Sequence, residues 1–182
     1  MDYSAKLYVD GNALGINDED LSDFQKILLK TDGTVTDLIS IYANEKIRVI
    51  KISQKMSSSE ESHDSIFPPN TQLLTRNVLL CGNNKNYIYA ESVFVFERFS
   101  PSIQSKLLDT DQPIGLMWKE EKLETYRDVI AQEVEVCADV AVYFDVPSTT
   151  PIISRTYLIY YKKMILGKIT EKFPITRFRR KI

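Results

Sequence analysis

The apolar residues near the start of the chain recur with the period of an α-helix. Between residues 17 and 33 they are Leu21, Phe24, Ile27 and Leu28. Asn17 is a candidate N-cap ahead of them, and Gly33 is a stop signal after them. The segment 34–44 predicts a second, shorter helix that begins at Thr34 or Thr36. Joined through the sequence TDG, the two helices form a predicted helical hairpin.

From about residue 47 the period changes to two, which is typical of β-strands with one buried face. Six segments alternate in this way and are rich in β-branched and aromatic residues. They are 47–56, 72–81, 87–96, 125–136, 152–161 and 165–173. The connections GNNKN and YKKM suit antiparallel hairpins, because a parallel crossover needs a dozen or more residues.

Two further helices are predicted between the third and fourth strands. One has Ser100 as its N-cap and Pro101 at its first position, and the other follows a turn at Pro113 and Gly115. We therefore predict an α+β fold. It consists of a mostly antiparallel sheet of about six strands with helices packed on one side.

The whole chain, residues 1–182, is expected to form a single domain. Its 182 residues, 43% of them hydrophobic, are enough to build one substantial core. The polar segment at about 57–70 predicts a flexible loop, since it is rich in serine and ends near two prolines. The basic residues in 177–182 predict a solvated C-terminal tail.

Charge and hydropathy exclude several classes of partner. Twenty-three basic and 25 acidic side chains give no global attraction for nucleic acid. No apolar run reaches the roughly 18 residues needed to span a bilayer, and the N-terminus lacks the pattern of a signal peptide. We expect a cytoplasmic protein that binds a small molecule, and the sequence leaves its oligomeric state open.

The sequence contains no familiar metal or nucleotide motif. The one histidine, His63, lies in the predicted loop, and Cys81 and Cys137 are far apart in sequence. This set has no zinc-ligand spacing and supports no Ser-His-Asp arrangement. We expect no metal and no cofactor, so an enzyme built on this chain would use arginine and glutamate side chains.

Three charged residues fall on apolar strand faces. The alternation places Arg76, Arg155 and Glu171 among aliphatic and aromatic neighbours. The predicted neighbours of Glu171 are Ile165, Gly167, Ile169 and Phe173. A buried carboxylate without a partner is costly, so two interpretations are open. It forms a structural ion pair with an arginine inside the sheet, or it lines a pocket for a small anion that an arginine binds through its planar fork.

Four segments between about residues 20 and 176 carry a family resemblance. They are LLKTDGTVTDLI, LLTRNVLLC, QPIGLMW and SRTYLIYYKKMILGKITEKFP. In this order and spacing they resemble the chorismate pyruvate-lyase family, especially its archaeal and cyanobacterial branch. The third corresponds to a family PLG turn, and the fourth ends in the family's E-x-F-P.

The resemblance implies a cofactor-independent carbon–oxygen lyase, which removes pyruvate from chorismate and leaves 4-hydroxybenzoate. It implies that Arg76 binds the ring carboxylate and that Glu171 is the partner of the ring hydroxyl, both as catalytic residues. Backbone at Ile114 would add a hydrogen bond, and Thr34 and Val35 would form part of a lid. Glu171 would either remove the ring hydrogen as a general base or only orient the hydroxyl.

The chain departs from bacterial members of the family in the strand YAESVFVF. Those members have a basic residue where this chain has Ser92, so one expected partner of the enolpyruvyl carboxylate is missing. Arg155, in the strand that precedes Glu171, is the candidate to replace it.

Two other functions fit the same resemblance. The fold also resembles the effector-binding domains of bacterial transcription regulators, which predicts a non-catalytic sensor of a small molecule. Only about sixteen residues precede the first helix, which disfavours a DNA-binding domain on this chain. The second is an enzyme for a related enolpyruvyl or hydroxybenzoate-like compound.

Overall fold

The computed structural model describes residues 16–61, 65–110, 112 and 114–179. The helices in these ranges are α1 (Asp23–Lys30), α2 (Val35–Ala43), α3 (Pro101–Asp109), α4 (Ile114–Glu120) and α5 (Ala138–Ala141). The strands are β1 (Arg48–Ser58), β2 (Gln72–Cys81), β3 (Asn86–Val95), β4 (Tyr126–Val136), β5 (Pro151–Tyr161) and β6 (Met164–Pro174). None of these helices is long and apolar enough to cross a membrane.

The six strands form one sheet in the order β1-β2-β3-β6-β5-β4. Every neighbouring pair is antiparallel, so the predicted α+β fold is confirmed. The β5–β6 hairpin turns at Lys162 and Lys163, whose φ angles are 50° and 65°. Two consecutive positive φ angles are typical of the tight turns that match the twist of antiparallel strands.

Helices α1 to α4 pack on one face of the sheet and enclose two apolar clusters. In the first, Leu28, Leu29 and Ile39 contact Ile88, Ile153 and Phe173 of the strands. In the second, Ile103, Leu107 and Met117 contact Leu74, Phe94 and Ile159. The short helix α5 lies on the opposite face, where Val140 packs in a smaller cluster with Leu79 and Ile152.

The first helix begins later than the sequence predicts. Its N-cap is Ser22 rather than Asn17, and Ser22 and Gln25 form a reciprocal capping box. Gln25 is completely buried and also donates to the backbone carbonyl of Ile175 at 2.8 Å. The cap therefore ties α1 to the end of β6, which fixes where the helix begins. The helix ends at Lys30, three residues before the predicted stop.

The segments predicted as a flexible loop, 57–70, and as a solvated tail, 177–182, both include buried residues. Strand β1 continues through Ser58, and Phe67 is buried in a cluster on the face opposite α1 to α4. Phe178 is buried to 3% exposure in the core, and Arg177 donates to the Phe144 carbonyl at 3.1 Å. Burial of the phenylalanine ring holds this segment against the domain. Residues 62–64, which include His63, and 180–182 lie outside the described residues.

Two β-bulges change which side chains share a face. In the β5–β6 pair the register shifts at Leu166, and in the β4–β5 pair it shifts at Ile130. A bulge inserts one unpaired residue and so reverses the alternation beyond it. Ile165 consequently packs with Leu73 and Val95 on the face away from Glu171, so its predicted place beside Glu171 is wrong.

Candidate active site

A cavity lies between the sheet and the N-terminal ends of α2 and α4. Its polar side chains are those of Thr34, Thr36, Arg76, Ser92, Trp118, Arg127, Tyr157 and Glu171. About 90 Å³ of it is open to the centres of water molecules.

Five of the six residues that the sequence analysis singled out line this cavity. They are Thr34, Val35, Arg76, Ile114 and Glu171. They come from α2, β2, α4 and β6, so folding brings together groups that lie up to 137 positions apart in the sequence. Arg155 is not among the lining residues.

Arg76 is a buried cation at one side of the cavity. Arg76 is only 3% exposed. Its Nη1 and Nη2 atoms each donate to the Gln112 carbonyl at 3.3 Å. The backbone of the same residue accepts a hydrogen bond from Ser92 Oγ at 2.8 Å. Ser92 stands where the family resemblance leads us to expect a basic residue. Its hydroxyl supports the backbone of the strand that carries Arg76.

Glu171 is both an ion-pair partner and a wall of the cavity. Its Oε2 accepts from Arg155 Nε at 2.7 Å, and its Oε1 accepts from the Tyr157 hydroxyl at 3.1 Å. Arg155 is 2% exposed and Glu171 7% exposed. The sequence analysis treated a structural ion pair and a cavity-lining carboxylate as alternatives. In the structure, Glu171 is both. An ionised carboxylate has about four acceptor sites, so a ligand hydroxyl can still bind it.

The electrostatics around Glu171 keep its two neighbours in their usual protonation states. Burial raises the pKa of Tyr157, and the adjacent carboxylate raises it further. Burial alone would lower the pKa of Arg155, but the charge of Glu171 outweighs this and the net shift is upward. Tyr157 therefore serves as a neutral hydrogen-bond donor and Arg155 as a permanent cation.

Side chains from β4 and β5 also hold the connection between α1 and α2. Arg155 Nη1 donates to the Thr31 carbonyl at 2.6 Å, and Gln132 donates to the Leu29 carbonyl at 3.1 Å. Arg127 donates to the Asp32 carbonyl. Since Thr34 and Val35 follow directly, these bonds position the part of α2 that covers the cavity.

The sequence analysis missed three residues of the site. Arg127 and Trp118 lie together, with the guanidinium carbon 5.8 Å from the centroid of the indole ring. Tyr157 shares the cavity-side face of β5 with Arg155. A strand arginine beside charged residues carries no local signal that it faces inward.

No cluster of three or more histidine, cysteine or acidic side chains suited to a metal ion occurs in the described ranges. Both cysteines are unpaired, and Cys81 is buried. The side-chain groups that line the cavity and can donate, accept or carry charge are two guanidinium groups, one carboxylate, one phenol, the hydroxyls of Thr34, Thr36 and Ser92, and the indole of Trp118.

Comparison with known sequences identifies relatives of this chain. The model of the family "Chorismate pyruvate-lyase Rv2949c-like" matches residues 29–180. A Methanocaldococcus jannaschii protein named "Putative lyase MJ0807" is 32% identical over 156 residues, 83% of this chain and 78% of that protein. The chorismate pyruvate-lyase of Mycobacterium leprae is 30% identical over 106 residues, which cover 57% of this chain and half of the mycobacterial protein.

The fold also recurs in solved structures. PhnF from Mycobacterium smegmatis superposes with a TM-score of 0.67 at 10% identity, over 82% of this chain and 67% of PhnF. The effector domain of the same protein superposes with a TM-score of 0.62, over 78% of this chain and 88% of the domain. At this identity the likeness concerns the fold alone.

Proposed function

This chain belongs to the Rv2949c-like chorismate pyruvate-lyase family, and on that premise we propose that it converts chorismate into 4-hydroxybenzoate and pyruvate. The observation that carries the proposal is that Arg76 and Glu171 line one cavity. A flat molecule with a carboxylate at one end and a hydroxyl at the other matches this pair.

The ring carboxylate binds Arg76 in this proposal. The Nη1 and Nη2 atoms of Arg76 both donate to one backbone carbonyl, and a carboxylate can offer each of them its own oxygen in a bidentate contact. Such charge-assisted hydrogen bonds contribute about 1.5–3 kcal/mol each when the site is shielded from water. The backbone amide of Ile114 starts α4, has no intrahelical partner and supplies a further donor.

The ring hydroxyl binds Glu171 at the opposite end of the same molecule. Pairing with Arg155 and Tyr157 fixes the carboxylate so that it cannot rotate away from the cavity. Arg155 therefore acts as a positioning residue behind Glu171. This differs from the role as a substrate ligand that the sequence suggested for it.

The proposed reaction breaks the bond between the ring and the ether oxygen of the enolpyruvyl group. The ring carbon that bears the hydroxyl loses its hydrogen, and the ring becomes aromatic, which supplies the driving force. That hydrogen reaches the leaving group either through Glu171 acting as a general base or by direct transfer to the terminal methylene. The products are 4-hydroxybenzoate and pyruvate, and neither route involves a metal or a redox step.

Access to the cavity is controlled by α2 and α4 in this scheme. Thr34 and Val35 of one element and Ile114 of the other line the cavity on its helical side. An exposed ion pair between Lys119 and Asp37, with 3.5 Å between Nζ and Oδ2, joins the two helices. An exposed pair of this kind contributes little stability, so it allows the helices to separate.

Turnover of chorismate by the purified protein tests the proposal. We expect 4-hydroxybenzoate, followed by its absorbance, and pyruvate, followed by a coupled reductase, to appear in equal amounts. Tight binding of 4-hydroxybenzoate without any turnover would instead support the sensor function. Failure to bind either compound would exclude both.

A further inference from the structure

Arg127 lies on the far side of Glu171 from Arg76. In the strand order β2-β3-β6-β5-β4, Glu171 on β6 is two strands from each arginine. At about 4.8 Å per strand, each arginine is about 10 Å from Glu171 across the sheet. Along the strands, Arg76 lies level with Ile169 and Arg127 level with Gly167, two and four residues from Glu171. Both arginines line the cavity, so it presents a cation on each side of a central carboxylate.

The Arg127 side of the cavity has more hydrogen-bond donors than the protein uses. An arginine side chain carries five N–H donors, and in the described part of the chain Arg127 donates to the Asp32 carbonyl. The indole Nε1 of Trp118 is buried and has no acceptor among the described residues. Trp118 itself is only 4% exposed and lines the cavity. A buried donor without an acceptor is unfavourable, so this region is suited to a ligand that supplies acceptor oxygens.

The N-terminus of α2 adds positive potential to the same cavity. Val35 and Thr36 are its first two residues, and their amides precede the first intrahelical hydrogen bond. The Thr34 side chain makes no capping hydrogen bond. Val35 and Thr36 both line the cavity. The Asp32 carbonyl that Arg127 binds is two residues before Thr34. Helix N-termini favour anions because their first backbone amides have no acceptor within the helix.

We propose that Arg127, together with the indole of Trp118, binds a second carboxylate of the substrate, the one on the enolpyruvyl side chain. The proposal rests on the proposed function and names the residue of this chain that holds that carboxylate. Arg76 binds the ring carboxylate, Glu171 the ring hydroxyl, and Arg127 the carboxylate on the ether substituent next to that hydroxyl.

This arrangement distinguishes substrate from product. Chorismate contacts both arginines, whereas 4-hydroxybenzoate has no group for Arg127 once pyruvate has formed. The second cation therefore strengthens substrate binding without strengthening product binding. Loss of Arg127 consequently affects ligands with two carboxylates and spares those with one.

Two stable ligands test the assignment by calorimetry. One is 4-hydroxybenzoate, and the other is 3-(carboxymethoxy)-4-hydroxybenzoate, which adds a carboxylate on an ether oxygen beside the hydroxyl. In Arg127→Gln we expect the affinity for the dicarboxylate to fall by about 10- to 100-fold, the range for loss of a charge-assisted contact. The affinity for 4-hydroxybenzoate should fall much less, since Gln132 and Arg155 still hold the connection before α2, and retained binding also shows that the variant is folded. Arg127→Lys keeps the cation and should lose less.

Arg98→Gln is the matched control. Arg98 is a half-buried arginine that donates to a backbone carbonyl, that of Ile165, and it does not line the cavity. Both affinities should equal those of the parent. Equal losses for the two ligands in Arg127→Gln, no loss for the dicarboxylate, or no binding of either ligand by the parent would overturn the assignment.

Turnover of the parent separates this inference from the proposed function. If the parent converts chorismate while Arg127→Gln shows no selective loss, only the assignment of Arg127 is wrong. If the parent binds the dicarboxylate through Arg127 and releases no pyruvate from chorismate, the dicarboxylate site stands and the lyase function is wrong.

Discussion

Replacing Glu171 with glutamine separates its structural contribution from its catalytic one. Glutamine keeps the shape of the side chain and one acceptor oxygen, which can still face Arg155 Nε, now 2.7 Å from Oε2. The amide group then faces the Tyr157 hydroxyl, which can rotate to accept a hydrogen bond. The change therefore removes the negative charge with little change in packing.

The expected loss of stability follows from the burial of Arg155. This residue is 2% exposed, and removing one partner of a buried ion pair costs about 3–5 kcal/mol. Because the amide oxygen retains one hydrogen bond, we expect about 3 kcal/mol. For a chain of this length that corresponds to a decrease in Tm of about 6–12 °C. A cavity carboxylate without a cation beside it would predict no loss at all.

The expected loss of activity depends on the role of the carboxylate. If Glu171 removes the ring hydrogen, single-turnover rates should fall by about 10²–10⁴-fold while 4-hydroxybenzoate binding changes much less. If Glu171 only orients the hydroxyl, the rate should fall less, and 4-hydroxybenzoate should bind more weakly in parallel.

A second change distinguishes loss of fold from loss of chemistry. Arg155→Met combined with Glu171→Gln removes both charges, and a coupled pair should show an interaction energy of about 0.5–3 kcal/mol. We expect the double variant to be more stable than the sum of the single changes predicts, with turnover still as low as in Glu171→Gln. Unimpaired turnover in Glu171→Gln would refute a catalytic role, and an unchanged Tm would refute the ion-pair argument.

Three further predictions concern Arg76, metal dependence and packing. Arg76→Met should weaken 4-hydroxybenzoate binding by about 10- to 100-fold in calorimetry, and unchanged affinity would exclude Arg76 as the carboxylate site. Turnover should survive prolonged treatment with EDTA; a loss that a divalent ion restores would contradict the cofactor-free proposal. Gly167→Ala should destabilise the protein by about 1–3 kcal/mol in thermal unfolding, because the new Cβ would lie 2.7 Å from the Val93 carbonyl oxygen and against the Phe94 ring. Gly115→Ala is its control, since its Cβ would meet only Thr34 Cγ2 at 3.9 Å, and its Tm should not fall.

Period-two alternation was sufficient to find the strands and three inward-facing charges. Arg76, Arg155 and Glu171 stand on apolar faces in segments long enough to show the pattern. All three are buried, and Arg76 and Glu171 line the cavity. Alternation is a local signal, so it identifies a face without identifying what lies across from it. The family resemblance then supplied the roles of these residues, and their roles remain predictions.

The sequence left open an ion pair between Glu171 and an arginine, but it could not predict that the partner is Arg155, because a bulge determines this pairing. The turn at Lys162 and Lys163 pairs Tyr160 with Ile165, and continued without interruption this register would place Arg155 opposite Thr170. The extra residue at Leu166 shifts the register by one, and Arg155 pairs with Glu171 instead.

The bulge at Ile130 likewise prevented the alternation from predicting that Arg127 faces the cavity. Alternation counted back from Val134, which is buried in the core, would put Arg127 on the opposite face. The unpaired residue reverses the count, so Arg127 shares the cavity face with Gln132 and Val134. A bulge depends on how the strand packs against its partner strand, which is distant in sequence. No residue type in this segment indicates it.

An experimental structure with 4-hydroxybenzoate bound tests the central claim most directly. We predict a single molecule between α2, α4 and the sheet, with its carboxylate within hydrogen-bond distance of the Arg76 guanidinium and its hydroxyl on Glu171. A ligand bound in the reverse orientation, or at another surface with this cavity empty, would contradict the account.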